Sequence, residues 1–249
     1  SSLGWYDCAV YDALLLGLVR SPVQAKPQEL SNAFYSCAVA RHSGAAVDAL
    51  AGVVSKKSLS GWKEQELSNA LYAWSVLSLL GRASPELDGM ASALFSEANS
   101  RSPAGFEPPH FNQLYTAHME AERVGLKGEG LASVDGLQQA AAEEFKQNQY
   151  RLQMILKQSG GTAAEKQAMA TLQQAGFQVE LGGMTEGGYC APLLVQHKSH
   201  PPGIVVVDTV VSSDFFHHPQ GQLSGRTAAV HAQIRQRCKL VVQSEEEAR

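Results

Sequence analysis

Three segments of this 249-residue sequence repeat one pair of side chains. Asn32 and Tyr35 stand in ELSNAFYSCAVA (29–40), Asn69 and Tyr72 in ELSNALYAWSVL (66–77), and Asn112 and Tyr115 in NQLYTAHMEAE (112–122). A carboxamide can hydrogen-bond a base edge, and a tyrosine ring offers a face on which a base can stack. The residue after each tyrosine varies: Ser36, Ala73 and Thr116. A variable position beside a constant pair suits a reader of sequence. A constant pair equally suits a ladder in which Asn and Tyr bond and pack between copies. A second set is basic: Arg226, Arg235, Arg237 and Lys239. Its chemistry is phosphate contact, or simply a solvated helix face.

The copies lie 37 and 43 residues apart, and a partner segment repeats as well, YDALLLGLV from Tyr11 and VDALAGVV from Val47. A period of this size means a repeat architecture whose unit is a helix pair. One helix pair cannot bury its own apolar face, whereas stacked copies can. On a helical wheel Leu30, Ala33, Phe34 and Cys37 fall together, as do Leu67, Ala70, Leu71 and Trp74. This is the expected core. Asn32, Tyr35, Ser36 and Val39 take the opposite arc, with Asn69, Tyr72, Ala73 and Val76, then Asn112, Tyr115, Thr116 and Met119, in the later copies. Stacking would align these arcs in one stripe.

Helices are predicted over 27–42, ended by Gly44, and over 45–57, with Lys56 and Lys57 in a last turn that favours cations. Further helices are expected over 62–80, closed by Gly81, and over 84–99, where Ser84-Pro85-Glu86 gives an N-cap, a first-turn proline and an early acid. Two more cover 108–124, stopped by Gly125, and 131–158. The texture then changes. A helix over 163–175 ends at Gly176, and strands follow at 177–181, 193–196 and 204–211. The last of these, IVVVDTVV, is a continuous β-branched run suited to burial on both faces. A helix over 224–238 and a strand over 240–243 complete an α/β pattern. The expected organisation is α plus α/β: a helical repeat array over 1–158, a small α/β domain over 159–243 and an acidic tail over 244–249. Residues 11–19 match the second helix of the unit. The sequence is therefore expected to open in mid-repeat, as part of a longer chain with any targeting segment upstream.

Net charge is −4, unevenly spread. Residues 1–145 carry 10 Lys/Arg against 16 Asp/Glu, and residues 146–249 carry 10 against 8. A protein held to nucleic acid by a general phosphate field should be basic, so any nucleic-acid contact here must be local. No apolar run reaches the ~18–20 residues of a membrane-spanning helix, and no membrane partner is expected. Cys8, Cys37, Cys190 and Cys238 form no CxxC pair. They read as buried thiols in a reducing compartment, with Cys8 and Cys37 on apolar helix faces. His197, His200, His217 and His218 lie on predicted loops without a Cys or acid at ligand spacing, so no metal or other cofactor is expected. Trp74 is assigned to the core.

The repeat text, above all PQELSNAFYSCA from Pro27, resembles the octotricopeptide repeat, a helix pair with a P-x-E-L-x-N-x-L-W-A-like first helix. The third copy, EPPHFNQLYTA, keeps mainly the Asn, Leu and Tyr. Separately, EKQAMATLQQAGFQVE, GGYCAPLLV, GIVVVDTVV and LSGRTAAVHAQIRQRCKLVV are similar to a RAP domain. That family's pattern runs through G-G-Y-x-x-D and a strand ending E-x-D-G to L-x-G-K-T and a basic helix. The resemblance implies an α-solenoid followed by a restriction-endonuclease-like α/β domain. It implies a green-algal chloroplast or mitochondrial protein that binds mRNA, intron RNA or rRNA, in maturation, stabilisation, splicing or translation. Where the family pattern has its acids, this sequence has Pro192 and Val206, and only Asp208 remains. The family's lysine after G-K-T-x-x aligns with Val230, while Arg226 and Thr227 persist. One carboxylate cannot hold the metal that such a nuclease needs, so the chain is expected not to be an enzyme. The alternatives are a structural rRNA-binding component of an organellar ribosome and a protein–protein scaffold, which the acidic repeats favour.

Overall fold

A computed structural model describes residues 6–126, 130–132, 136–185, 187–197, 205–210, 223–236 and 239–244. Among them are nine α-helices and four strands. In chain order these are α1 (Cys8–Arg20), α2 (Pro27–Ala40), α3 (Ala45–Val54), α4 (Glu64–Leu79), α5 (Pro85–Asn99), α6 (Pro108–Val124), α7 (Leu137–Ser159) and α8 (Ala163–Gln174). Then come β1 (Phe177–Met184), β2 (Cys190–His197), β3 (Val205–Val210), α9 (Gly225–Arg235) and β4 (Lys239–Ser244). The protein is thus mostly helical, with a small mixed sheet towards its C-terminus. The chain forms two compact units, Ser1–Phe145 with Phe216–Ala229, and Lys146–Phe215 with Val230–Arg249.

In the first unit α2, α4 and α6 pack side by side in sequence order, and α1, α3 and α5 form a parallel row. Their starts share one device. The Glu29 carboxylate accepts from the Lys26 N–H at 2.9 Å, and Glu66 accepts from Lys63 N–H at 2.7 Å. Each is the acidic half of a capping box, satisfying a backbone donor the helix cannot. This explains the Glu that opens both ELSNA segments. In the third copy His110 replaces it, and its Nδ1 accepts from Glu107 N–H at 3.1 Å. Ser31 and Ser68, both buried, donate back to the carbonyls of Gln28 and Gln65. The core follows the expected arcs. Leu30, Phe34, Cys37, Leu67, Ala70, Leu71 and Trp74 are all fully buried, and Ala33 is half-buried.

A carboxylate repeats on the second helices. Asp12, Asp48 and Asp88 sit at equivalent places, and each pins a neighbour. Asp12 meets His42 Nε2 at 3.1 Å, Asp48 accepts from Ser84 Oγ at 2.6 Å, and Asp88 accepts from Trp74 Nε1 at 3.0 Å. The first two hold the residues just before α3 and α5, so each second helix fixes where the next begins.

Several boundaries differ from the predicted ones. Arg41, at φ 57°, ends α2 in the left-handed conformation, three residues before Gly44. Helix α3 stops at Val54, which leaves Lys57 beyond the last turn, its Nζ donating to the carbonyls of Pro22 and Ala25. Helix α7 starts at Leu137, not near 131, because Leu131 N–H is taken by His118 Nδ1 at 3.1 Å. Ser84, Gly81 and Gly125 act as expected: Ser84 Oγ accepts from Leu87 N–H, and both glycines adopt positive φ.

In the second unit the sheet order is β1-β2-β3-β4, antiparallel except for the parallel β3–β4 pair. Leu193, Val195 and Val207 pack on Ala168 of α8, while Ala191, Leu194 and Val206 face Ile234 of α9. Consecutive residues of β3 are therefore buried on opposite faces, as its unbroken β-branched run requires. Strand β1 runs past the predicted end at Leu181. A Cβ on Gly183 would lie 2.5 Å from Leu194 Cβ, so this glycine permits close strand approach where the sequence suggests a break.

Candidate nucleic-acid interface

The row α2, α4, α6 brings the three Asn–Tyr copies together, and their environments are not equal. Asn32 is exposed, and Tyr35 and Ser36 are half-buried. Asn69 and Tyr72 are half-buried, but Ala73 is fully buried. Ala73 therefore offers no surface to a ligand, contrary to the expected stripe, because α2 and α6 flank α4 on both sides. Val76 is buried for the same reason. Asn112, Tyr115 and Thr116 are half-buried.

Tyr35, Tyr72 and Asn69 are engaged between copies. The Tyr35 and Tyr72 rings lie 6.0 Å apart, tilted by 30°. Asn69 Oδ1 accepts from Gln113 Nε2 at 2.8 Å, linking α4 to α6. Tyr115 packs against Phe145 at 5.1 Å. Asn112 and Thr116 bond to their own helix, Asn112 Nδ2 to Pro108 O and Thr116 Oγ1 to Asn112 O. The buried Asn112 Oδ1 and Gln113 Oε1 have no hydrogen-bond partner. In the first copy Asn32 and Ser36 line a cleft of about 620 Å³, with Val10, Tyr11, Leu14 and Leu18 of α1. Val10 and Leu14 are 55% and 67% exposed there.

Around this row lie buried polar groups that sequence reasoning missed. Glu120 is 1% exposed, accepts from Ser78 Oγ of α4 and pairs with both Arg123 Nε and a terminal Arg123 nitrogen at 2.6 Å. These bonds raise the Arg123 guanidinium above its ordinary value. His118 accepts from Leu131 N–H through Nδ1, and burial holds it below the usual imidazole range despite Glu122. Gly130 sits over the same ring: a Cβ there would lie 2.7 Å from Nδ1. Burial likewise lowers His110 and His42. The Glu120–Arg123 and His118–Glu122 pairs stand at i,i+3 and i,i+4 spacing within α6 and were readable in the sequence, whereas the Ser78 and Leu131 contacts come from other segments and leave no sequence signal.

In the second unit Arg235, at the end of α9, is exposed. Arg237 and the side chains of Arg226 and Lys239 lie outside the described residues. Pro192 is half-buried, and Val206 is fully buried in an apolar cluster. Asp208 accepts from His231 Nε2 at 2.8 Å. His231 is fully buried, and its Nδ1 has no hydrogen-bond partner. This pair joins residues 23 apart and was not anticipated. His197 ends β2 and is not on a loop; its side chain, with His200, His217 and His218, lies outside the described residues. Among the described residues no three His, Cys, Asp or Glu side chains gather as metal ligands, and no helix is long and apolar enough to cross a membrane.

The thiols divide. Cys37 is fully buried, and desolvation pushes it up to about 12. Cys8 is exposed at the first residue of α1, not buried as its apolar neighbours suggested. Cys238 lies outside the described residues. Compared with known families and with curated proteins, the sequence matches no family model and no curated protein.

Proposed function

We propose that this chain is a non-catalytic RNA-binding factor of organellar gene expression, acting on transcripts of a chloroplast or mitochondrion. On this reading the helical unit is a short α-solenoid of octotricopeptide type, and the sheet-bearing unit is a RAP-like, restriction-endonuclease-like domain. The supporting observation is the row α2, α4, α6, in which repeated Asn and Tyr positions recur along adjacent helices with partly exposed Tyr35, Tyr72 and Tyr115. Exposed Asn32, with Ser36 and Thr116, are the proposed base-contacting positions, and half-buried Asn69 and Asn112 complete the proposed set. Arg226, Arg235 and Arg237 are the proposed phosphate contacts. Ala73 is withdrawn from this set. Burial of Val206 in an apolar cluster and the Asp208–His231 pair support the non-catalytic reading.

Helical repeat readers take about one base per repeat, so three copies would address a short site, as one part of a larger ribonucleoprotein or as an organellar ribosome component clamping rRNA. A protein–protein scaffold is the second reading. It is favoured by the Asn69–Gln113 bond and the Tyr35–Tyr72 contact, which employ the constant residues between copies. The test is fluorescence anisotropy of the chain with a pool of short single-stranded RNAs across a salt series. The RNA reading expects saturable binding whose log–log salt slope is about −2, from three arginines at about −0.7 each. Absence of binding at low salt would leave the scaffold.

A further inference from the structure

Cys8, His42 and Asp12 form a cluster the RNA reading does not use. His42 is 1% exposed and sits between two kinds of partner. Its Nε2 faces Asp12 Oδ1 at 3.1 Å. That carboxylate only accepts, so it fixes the proton on Nε2 and leaves a lone pair on Nδ1. Nδ1 lies 3.9 Å from Cys8 Sγ and 2.9 Å from Tyr6 OH, and Cys8 Sγ also donates to the other Asp12 oxygen, Oδ2, at 3.8 Å, so the thiol lies between the imidazole and the carboxylate. Cys8 is exposed and is the first residue of α1. A nucleophile, a base and a group orienting that base are thus within reach of one another. The Tyr6 hydroxyl competes with the thiol for the same lone pair. Burial, the largest cause, raises Tyr6 to about 12, so it stays a donor. The charged neighbours acting on the cluster are Asp12 and Arg82.

We propose that Cys8 is a reactive thiol that takes up low-molecular-weight disulfides, with His42 as its base, Asp12 as the positioning residue and Tyr6 as a restraint on the base. In the step, His42 Nδ1 takes the Cys8 proton, and the thiolate attacks one sulfur of the disulfide R–S–S–R. The S–S bond breaks, a Cys8–S–S–R bond forms, and the leaving thiolate takes the proton from His42 and departs as RSH. Cys8 is oxidised and the departing sulfur is reduced, with no further reactant. Deeply buried Cys37 cannot follow the same course.

The experiment exposes the full chain to oxidised glutathione over a pH series and reads each cysteine by peptide mass spectrometry. Cys8 is expected to form the mixed disulfide before Cys37 and Cys190. His42→Gln should slow Cys8 at least about ten-fold at neutral pH and flatten its pH–rate profile. Asp12→Asn should slow it less. Tyr6→Phe should speed it, because the phenol no longer occupies Nδ1. Mere exposure of Cys8 predicts no change in either His42→Gln or Tyr6→Phe, and that result overturns the proposal. Helical circular dichroism is recorded for each variant; if His42→Gln loses its helices, Tyr6→Phe decides alone, a rate unchanged or slowed being the refutation.

Discussion

Replacing Arg123 by alanine strips Glu120 of both guanidinium bonds, each 2.6 Å long. The carboxylate stays buried between α4 and α6, with Ser78 as its remaining hydrogen-bond partner. Deleting one member of a buried ion pair costs about 3–5 kcal/mol. The Arg123 side chain is itself 42% exposed, so water reaches its end of the pair. Solvent screening therefore brings the expected loss below that range, to about 2–3 kcal/mol. Urea unfolding followed by tryptophan fluorescence suits the test, since Trp62 and Trp74 are buried in the helical unit and no tryptophan of the sequence follows residue 145. The double variant Glu120→Leu with Arg123→Met removes both charges. It should recover about 1 kcal/mol or more relative to Arg123→Ala, short of full recovery because the buried Ser78 loses its acceptor. An Arg123→Ala protein within about 0.5 kcal/mol of wild type would show that water already satisfies Glu120. A double variant less stable than the single one would equally refute the reasoning.

Other outcomes follow from the same packing. Burial lowers His42, His110 and His118, so the unfolded chain takes up their protons first. Their contribution to stability is intact above about pH 6.5 and is lost as pH falls from there through the folded values. The urea midpoint of the helical unit should fall across that window, and His118→Gln should reduce the slope. Gly130→Ala, at φ +151° and with its Cβ 2.7 Å from His118 Nδ1, should cost about 1–3 kcal/mol in the same assay. Gly89→Ala, on open helix surface, should add about 0.5–1 kcal/mol. In RNA titrations Arg235→Ala should shrink the salt slope by about 0.7, while Ala73→Ser should leave affinity unchanged.

Much of the fold was legible because the helices announce themselves locally. Pro27, Pro85 and Pro108 sit at first turns, Glu29 and Glu66 complete caps, and Gly81 and Gly125 close helices, all by interactions within a few residues. The β3 run was legible because both its faces are buried. What escaped was set by distant partners. Arg41 ends α2 three residues ahead of Gly44, and its carbonyl accepts from the Arg82 guanidinium, contributed by the next repeat. Gly183 extends β1 because Leu194 closes over it. The candidate site was half legible. Periodicity grouped Asn32, Asn69 and Asn112 on one arc, but a wheel of a single helix cannot show that α4 has neighbours on both sides, nor that Gln113 is the residue that meets Asn69. Ala73 is therefore buried, while Ser36 opens on a cleft. The Asp208–His231 and Asp12–His42 pairs leave no trace in spacing, since each joins separate elements.

The central proposal is RNA contact, and crosslinking with sequencing of the bound RNA, using the full-length protein in isolated organelles, tests it most directly. The RNA-factor reading predicts reads concentrated on a short site in an organellar mRNA or intron; confinement to rRNA would make the protein a ribosome component. No enrichment over a mock capture would contradict RNA binding and leave the helical rows as a protein scaffold.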